Sequence, residues 1–267
     1  MNLKITTKRT SLLASAALAL ALLQGCASGP GASRDDPFEP FNRSVFRFNE
    51  GLDRVVLKPV ATAYRDVAPE PIRNSVTNFF ENVSDLWSAA NNVLQGKPRE
   101  GVDSLARFGV NTFLGVGGLF DIAGNKLKIP KHKEDFGQTL GTWGMDTGPY
   151  LVLPLLGSSS VRDTIGLVVD AKGNLVTQAS NVPVRNSLTG LRLVDTRANL
   201  LEAGNLVDAA ALDKYTFSRD VYLHRRQSLI REELPPAEER FDLPEGAPPA
   251  GTAGTRTLPP APVPGGR

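Results

Sequence analysis

Apolar side chains recur every three or four positions along most of this chain, the period of helix faces rather than of strands. Phe38, Phe41, Val45, Phe48, Leu52 and Val55 form the first such stripe, with Asn42, Arg43, Glu50, Asp53 and Arg54 around the rest of the turn. Ahead of it, Asp36-Pro37-Phe38-Glu39 reads as a helix start: an Asp cap, a Pro at the first helical position and a Glu placed to complete a capping box. Pro40 still falls in the first turn, where a missing N–H costs little. Ile72, Val76, Phe79, Val83, Trp87, Ala90 and Leu94 keep the same period until Gly96-Lys97-Pro98 stops it. Val102, Leu105, Ala106, Gly109 and Phe113 predict a third helix, ending in a tight turn at Gly115-Val116-Gly117-Gly118. Helical spacing returns in Thr164 to Leu175, Thr189 to Ala211 and Ser218 to Glu233. A candidate hairpin lies within Gly141 to Leu156; no other alternation would sustain a sheet. Gly137, Gly141, Gly144 and Gly148 would line one face of a helix and admit another backbone. At about 1 kcal/mol per glycine relative to alanine, a loop or short strand is equally open there. The expected fold is mainly α, a single helical domain with little or no β-structure. In a water-soluble protein the first stripe would be core; beside a bilayer the same stripe could lie in the membrane interface.

The earliest apolar run changes that picture. Lys4, Lys8 and Arg9 precede a Leu/Ala run from Ser11 to Leu23, the pattern of a secretory signal peptide. It is shorter than the roughly 20 residues a membrane-crossing helix needs. Leu23-Gln24-Gly25 ahead of Cys26, the single cysteine of 267 residues, resembles the lipobox of bacterial lipoproteins. Residues 1–25 are therefore expected to be removed and Cys26 to carry an N-acyl chain and an S-diacylglycerol. At about 0.8 kcal/mol per buried methylene one chain anchors marginally and two or more anchor stably. Ala27 and Ser28 follow Cys26, with no Asp of the kind that retains enteric lipoproteins at the inner membrane, so the outer membrane is the expected destination. Residues 26–34 read as a tether, 35–234 as the helical domain, and 235–267, rich in Pro, Gly, Ala and Glu, as a disordered tail.

Loss of Lys4, Lys8 and Arg9 takes the formal charge from +2 to −1, which argues against nucleic acid as a partner. With Cys26 modified, no thiol remains for a disulfide, and packing alone must hold the fold. About 200 residues suffice for one core. His132 and His224 sit in no metal-ligand spacing, and no metal or other cofactor is expected. The chain holds no Gly-x-Ser-x-Gly, His-Glu-x-x-His or lactamase-type Ser-x-x-Lys motif. Ser158-Ser159-Ser160 reads as a loop leading into an N-cap. Asp135, Asp146 and Asp163 could pair in space, but nothing in the sequence sets their separation. The reading is not an enzyme.

Three stretches carry a family resemblance. Asp36-Pro37-Phe38-Glu39-Pro40-Phe41-Asn42-Arg43 with Phe46, Phe48-Asn49, Leu52-Asp53 and Lys58-Pro59-Val60-Ala61 is the first. Asn111-Thr112 with Gly115, Gly117-Gly118 and Asp121 is the second. Phe136-Gly137-Gln138-Thr139-Leu140-Gly141 with Gly144, Gly148-Pro149-Tyr150, Leu153-Pro154 and Arg162-Asp163 is the third. Together they make residues 35 to 232 similar to the MlaA (VacJ) lipoproteins. That resemblance implies a helical ring in the periplasmic leaflet of the outer membrane, around an amphipathic channel. It implies removal of phospholipid from the outer leaflet, delivery to a periplasmic lipid-carrier protein, and association with a trimeric porin. It further points to Phe41, Asn42, Phe46, Phe48, Asn49, Gly141, Gly144 and Tyr150 as a lipid-path or gating motif. Two other classes stay open: a porin-associated structural lipoprotein without a lipid path, and an envelope hydrolase.

Overall fold

The structure, a computed structural model, describes residues 35–231. The expected signal peptide 1–25, the expected anchor Cys26, the expected tether 26–34 and the expected tail 235–267 lie outside the described residues. Helix α1 spans Glu39–Leu52 and runs through a π-helical turn, Asp53–Leu57, into α2, Lys58–Val67. A helical hairpin follows, α3 Glu70–Leu94 and α4 Pro98–Phe113, then two short helices, α5 Ile122–Asn125 and α6 Phe136–Thr142. Strands β1 Tyr150–Leu153 and β2 Gly157–Ser160 precede α7 Val161–Gly173, α8 Val182–Asn199, α9 Leu201–Ala210 and α10 Lys214–Arg231. The mainly α expectation holds.

The start of α1 differs from its expected cap. Phe38 occupies the N-cap position with no side-chain bond to the first turn, and Glu39-Pro40 open the helix. Asp36 instead lies fully buried, accepting hydrogen bonds from Asn42 Nδ2 at 2.8 Å and from the Tyr215 hydroxyl. A carboxylate gains more from two strong interior donors than from one half-solvated amide of a first turn. The expected end of the third helix at its glycine turn is closer to the structure, since α4 ends at Phe113. The hairpin is displaced toward the C-terminus: Tyr150 pairs with Ser160 and Leu153 with Gly157. Serine is a poor strand former, so Ser158 to Ser160 carried no strand signal and the pairing comes from tertiary context. Ser160 does cap α7, its Oγ accepting from the Asp163 N–H at 3.1 Å.

Packing closes on itself. The elements touch in the order α1, π turn, α2, α8, α3, α6, α10, β2, β1 and back to α1. Among the described residues the buried apolar side chains form no single cluster: two small clusters stand apart, and Phe80, Ala89, Ala123 and Val176 are buried outside both. One cluster is Ala61, Ala198 and Leu201; the other is Tyr150, Val152 and Tyr215, with Phe46 packed against it.

Two glycines are required for different reasons. A Cβ on Gly166 would stand 2.5 Å from the Gly137 nitrogen, so α6 and α7 cross backbone to backbone. Gly144 has open space around it and a φ of +93°; its conformation, not a neighbour, demands glycine. The expectation of one small-residue face therefore holds for Gly137 and Gly141, inside α6, and fails for Gly144 and Gly148, which lie in the following turn with positive φ.

Candidate functional site

Burial along the helices is inverted. On α3 the buried positions include Asn82, Asp85, Ser88, Asn91 and Asn92; on α4 they are Gly101, Ser104, Arg107 and Asn111. Meanwhile Val93, Val102, Phe113, Leu114 and Val116 are each more than half exposed, Phe113 to 86%. Arg107 and Asn111 find partners on the inward side. Arg107 donates to the Ile129 carbonyl at 2.7 Å and to Asp121 at 3.0 Å, and lies 3.4 Å from the buried Asp85. Asn111 donates to Asp121 and accepts from the Ala123 N–H, both at 2.9 Å. Burial pushes the Asp85 carboxyl up, offset only in part by Lys131 at 3.0 Å. No such compensation exists for the outward Phe, Val and Leu side chains, which an apolar medium would satisfy and water would not.

Asn42 and Asn49 sit two turns apart on one face of α1 and treat β1 as a strand would. The Asn42 carboxamide donates to the Tyr150 carbonyl at 3.0 Å and accepts from the Val152 N–H at 2.9 Å. Asn49 donates to the Leu153 carbonyl and accepts from the Leu155 N–H, both at 2.9 Å. Leu155 has a φ of +66°, unusual for a non-glycine residue, and Asn49 holds it there. Of the motif residues expected to act together, Asn42, Phe46, Asn49 and Tyr150 therefore meet at the α1–β1 junction. Phe41 and Phe48 point away from it, 46% and 57% exposed. Gly141 lies apart, under Ile230 and Arg162 of other elements, and Gly144 is in the exposed turn after α6.

Three cavities are lined by elements of the packing circuit and its neighbours. The first, about 290 Å³, is lined by Phe46, Asn49, Arg54, Lys58, Ser158 and Lys214 among others. The second, about 220 Å³, shares Ser158 with it and adds Leu153, Leu156, Asp163, Leu167 and Arg226. The third, about 180 Å³, shares Asp135 and Asp170 with the second and reaches Trp87 and Arg192. Shared wall residues thus join polar and apolar surface into one series. Only Phe46 and Asn49 of the expected path residues line it. The face Phe46, Glu50, Arg54 and Lys58, at a constant spacing of four from α1 through the π turn to the start of α2, was the sequence signal for part of the first cavity's wall.

At the middle of this series Arg226 binds two carboxylates. Its guanidinium donates to Asp135 at 2.6 and 2.9 Å and to Asp163 at 2.9 Å, and Tyr222 also donates to Asp163. Burial alone pushes both carboxyls up, but Arg226 outweighs it and holds both below the usual carboxylate range. Asp170 differs: burial pushes it up, only partly offset by the Trp87 indole N–H at 2.7 Å. Asp135 and Asp163 do come together, as their sequence positions allowed. Both are saturated by donors and kept ionised, so neither can supply a proton as a hydrolase acid must. Among the described residues no cluster of His, Cys, Asp and Glu has the geometry to hold a metal ion.

Comparison with known proteins agrees with this geometry. The family profile described as MlaA lipoprotein matches residues 34–229. The chain is 37% identical over 234 residues to the "Intermembrane phospholipid transport system lipoprotein MlaA" of Escherichia coli K12, covering 85% of this chain and 92% of that protein. It is 32% identical over 232 residues to the protein of the same description from Haemophilus influenzae, covering 84% and 92%. A solved structure described as "Structural basis for maintenance of bacterial outer membrane lipid asymmetry" superposes with a TM-score of 0.66 at 36% identity, over 74% of this chain and 100% of that one. The chain belongs to the MlaA lipoprotein family.

Proposed function

We propose that this protein is an outer-membrane lipoprotein, anchored through Cys26 in the periplasmic leaflet, that withdraws phospholipid from the outer leaflet and hands it to a soluble periplasmic carrier, alongside a trimeric porin. The observation that carries the reading is the inversion itself: an apolar exterior around a connected series of partly polar cavities. A phospholipid crossing a leaflet must keep its charged headgroup solvated while its chains stay apolar. The exterior replaces lipid contacts of the surrounding leaflet, and the interior offers the headgroup amides, hydroxyls and paired ions. The relatives' description as parts of an intermembrane phospholipid transport system points the same way. The reading assigns no catalytic residue and no cofactor.

The test is outer-leaflet phosphatidylethanolamine in intact cells, measured with a membrane-impermeant amine reagent. Deleting the gene should raise labelling, and restoring the wild-type chain should return it to baseline. Unchanged labelling in the deletion strain would overturn the transport reading and favour a structural lipoprotein.

A further inference from the structure

The cavity of about 290 Å³ between α1, the π turn and α10 has a charge arrangement that passage of an amphiphile alone does not require. Lys214 Nζ lies 2.6 Å from Asp208 and 3.5 Å from Glu50, and Lys58 Nζ lies 3.3 Å from the other Asp208 oxygen. Two ammonium groups thus share one carboxylate. Asp53 is already taken by Arg197, at 2.6 and 2.8 Å. Arg54, exposed on the same wall, has no hydrogen bond or ion pair with any described residue. With Arg197 included, four cations face three carboxylates, and the excess charge is Arg54. The backbone adds an independent sign: Lys58 N–H bonds to the Asp53 carbonyl across a π turn, an irregularity frequent at functional sites, and Asp53, Arg54 and Lys58 all line the cavity. The adjoining cavity, joined through Ser158, is walled by Leu153, Leu156 and Leu167.

We infer that this cavity is a docking subsite for a phosphodiester monoanion, the charged group of a glycerophospholipid. Arg54 is its principal ligand and Lys58 and Lys214 flank it. Glu50 and Asp208 accept the amine of a zwitterionic headgroup, and the neighbouring leucines receive the start of the acyl chains. A guanidinium suits a phosphodiester because its planar fork matches two phosphate oxygens. The inference rests on the phospholipid-transport reading and adds the site at which the headgroup pauses.

The test titrates the full lipidated protein, in detergent free of phospholipid, by native mass spectrometry. The probes are short-chain phosphatidylethanolamine, phosphatidylglycerol, the diacylglycerol of equal chain length, and glycerophosphoethanolamine without chains. Wild type should bind both phospholipids more tightly than diacylglycerol. Arg54→Gln should weaken phospholipid about tenfold, the loss of one charge-assisted hydrogen bond, and leave diacylglycerol unchanged. Arg54→Lys should keep most of the affinity. Because Arg54 has no partner in the fold, the thermal midpoint of Arg54→Gln should match wild type, which separates the effect from misfolding. Equal phospholipid affinity in wild type and Arg54→Gln would overturn the subsite and leave transport standing. Failure of wild type to bind any diacyl probe would overturn both. Glycerophosphoethanolamine binding as tightly as the phospholipids would overturn the lipid as the source of the anion and assign the site to a soluble phosphodiester.

Discussion

Asn42 and Phe48 stand six residues apart on α1, the carboxamide sealed from solvent and the phenyl ring 57% exposed. Asn42 serves Asp36, Tyr150 and Val152 at once, so its loss takes one donor from the buried Asp36 and leaves a carbonyl and an N–H of β1 unpaired. Asn42→Ala should destabilise the protein by about 3 kcal/mol, and Phe48→Ala by less than about 1 kcal/mol, in chemical denaturation in mild detergent. Equal losses would mean that α1 packs with its apolar side inward after all. Gly166→Ala should cost about 1 to 3 kcal/mol, because its methyl group would press on the Gly137 backbone, which cannot give way as a side chain can. Gly144→Ala should cost about 1 kcal/mol through its positive φ alone. A Gly144→Ala loss matching or exceeding that of Gly166→Ala would remove backbone crossing as the reason for Gly166. At this scale the sequence showed which residues were special but not how they are held: the motif pointed to Asn42 and Asn49 as part of a lipid path or gate, and the structure adds that their side chains hydrogen-bond along the free edge of β1.

Helices α3 and α4 were legible to within a few residues, since their period is long and proline and glycine mark their ends. The hairpin was not, because Gly157 to Ser160 becomes a strand only when β1 is beside it. The junction of α10 with α6 and α7 was equally hidden: Arg226, Asp135 and Asp163 are far apart in sequence, and no local pattern links them. That junction gives a pH-dependent prediction. Asp135 and Asp163 have folded pKa values below the ordinary range, so the stability they contribute is present above about pH 4 and is lost as pH falls through the depressed values. Arg226→Gln removes the cation that Asp135 and Asp163 share, leaving half-buried Asp135 without an ion pair and buried Asp163 with Arg162 alone. It should cost about 3 kcal/mol at pH 7, and the gap to wild type should narrow as pH falls below about 4, where the variant's carboxyls are neutral. A gap that stays constant from pH 7 to pH 3 would mean that Arg226 stabilises through packing and not through charge.

A hydrophobic stripe at helical period reports contact with something apolar; it does not say whether that is protein or lipid. This is why the whole molecule was less legible than its helices. The closed packing circuit, with polar side chains of α3 and α4 turned inward, shows that Val93, Val102 and Phe113 face away from this chain's own interior. No helix among the described residues is long and apolar enough to cross a membrane; in the proposed reading the apolar exterior would meet lipid within one leaflet and Cys26 would be a second and separate attachment. The two contributions can be pulled apart. Cys26→Ser protein, carrying no acyl chains, should still co-float with phosphatidylethanolamine and phosphatidylglycerol vesicles, because the apolar surface around Phe113, Leu114 and Val116 supplies binding of its own. Adding Phe113→Glu and Val116→Glu should reduce flotation at least about tenfold, since burying either side chain is worth about 1.5 to 3 kcal/mol. These side chains are 86% and 65% exposed, so the substitutions should leave the far-ultraviolet helical signal intact. Cys26→Ser protein that stays wholly in the aqueous fraction would show that the lipid anchor alone holds the molecule at the membrane, and that the exposed apolar face meets a protein instead.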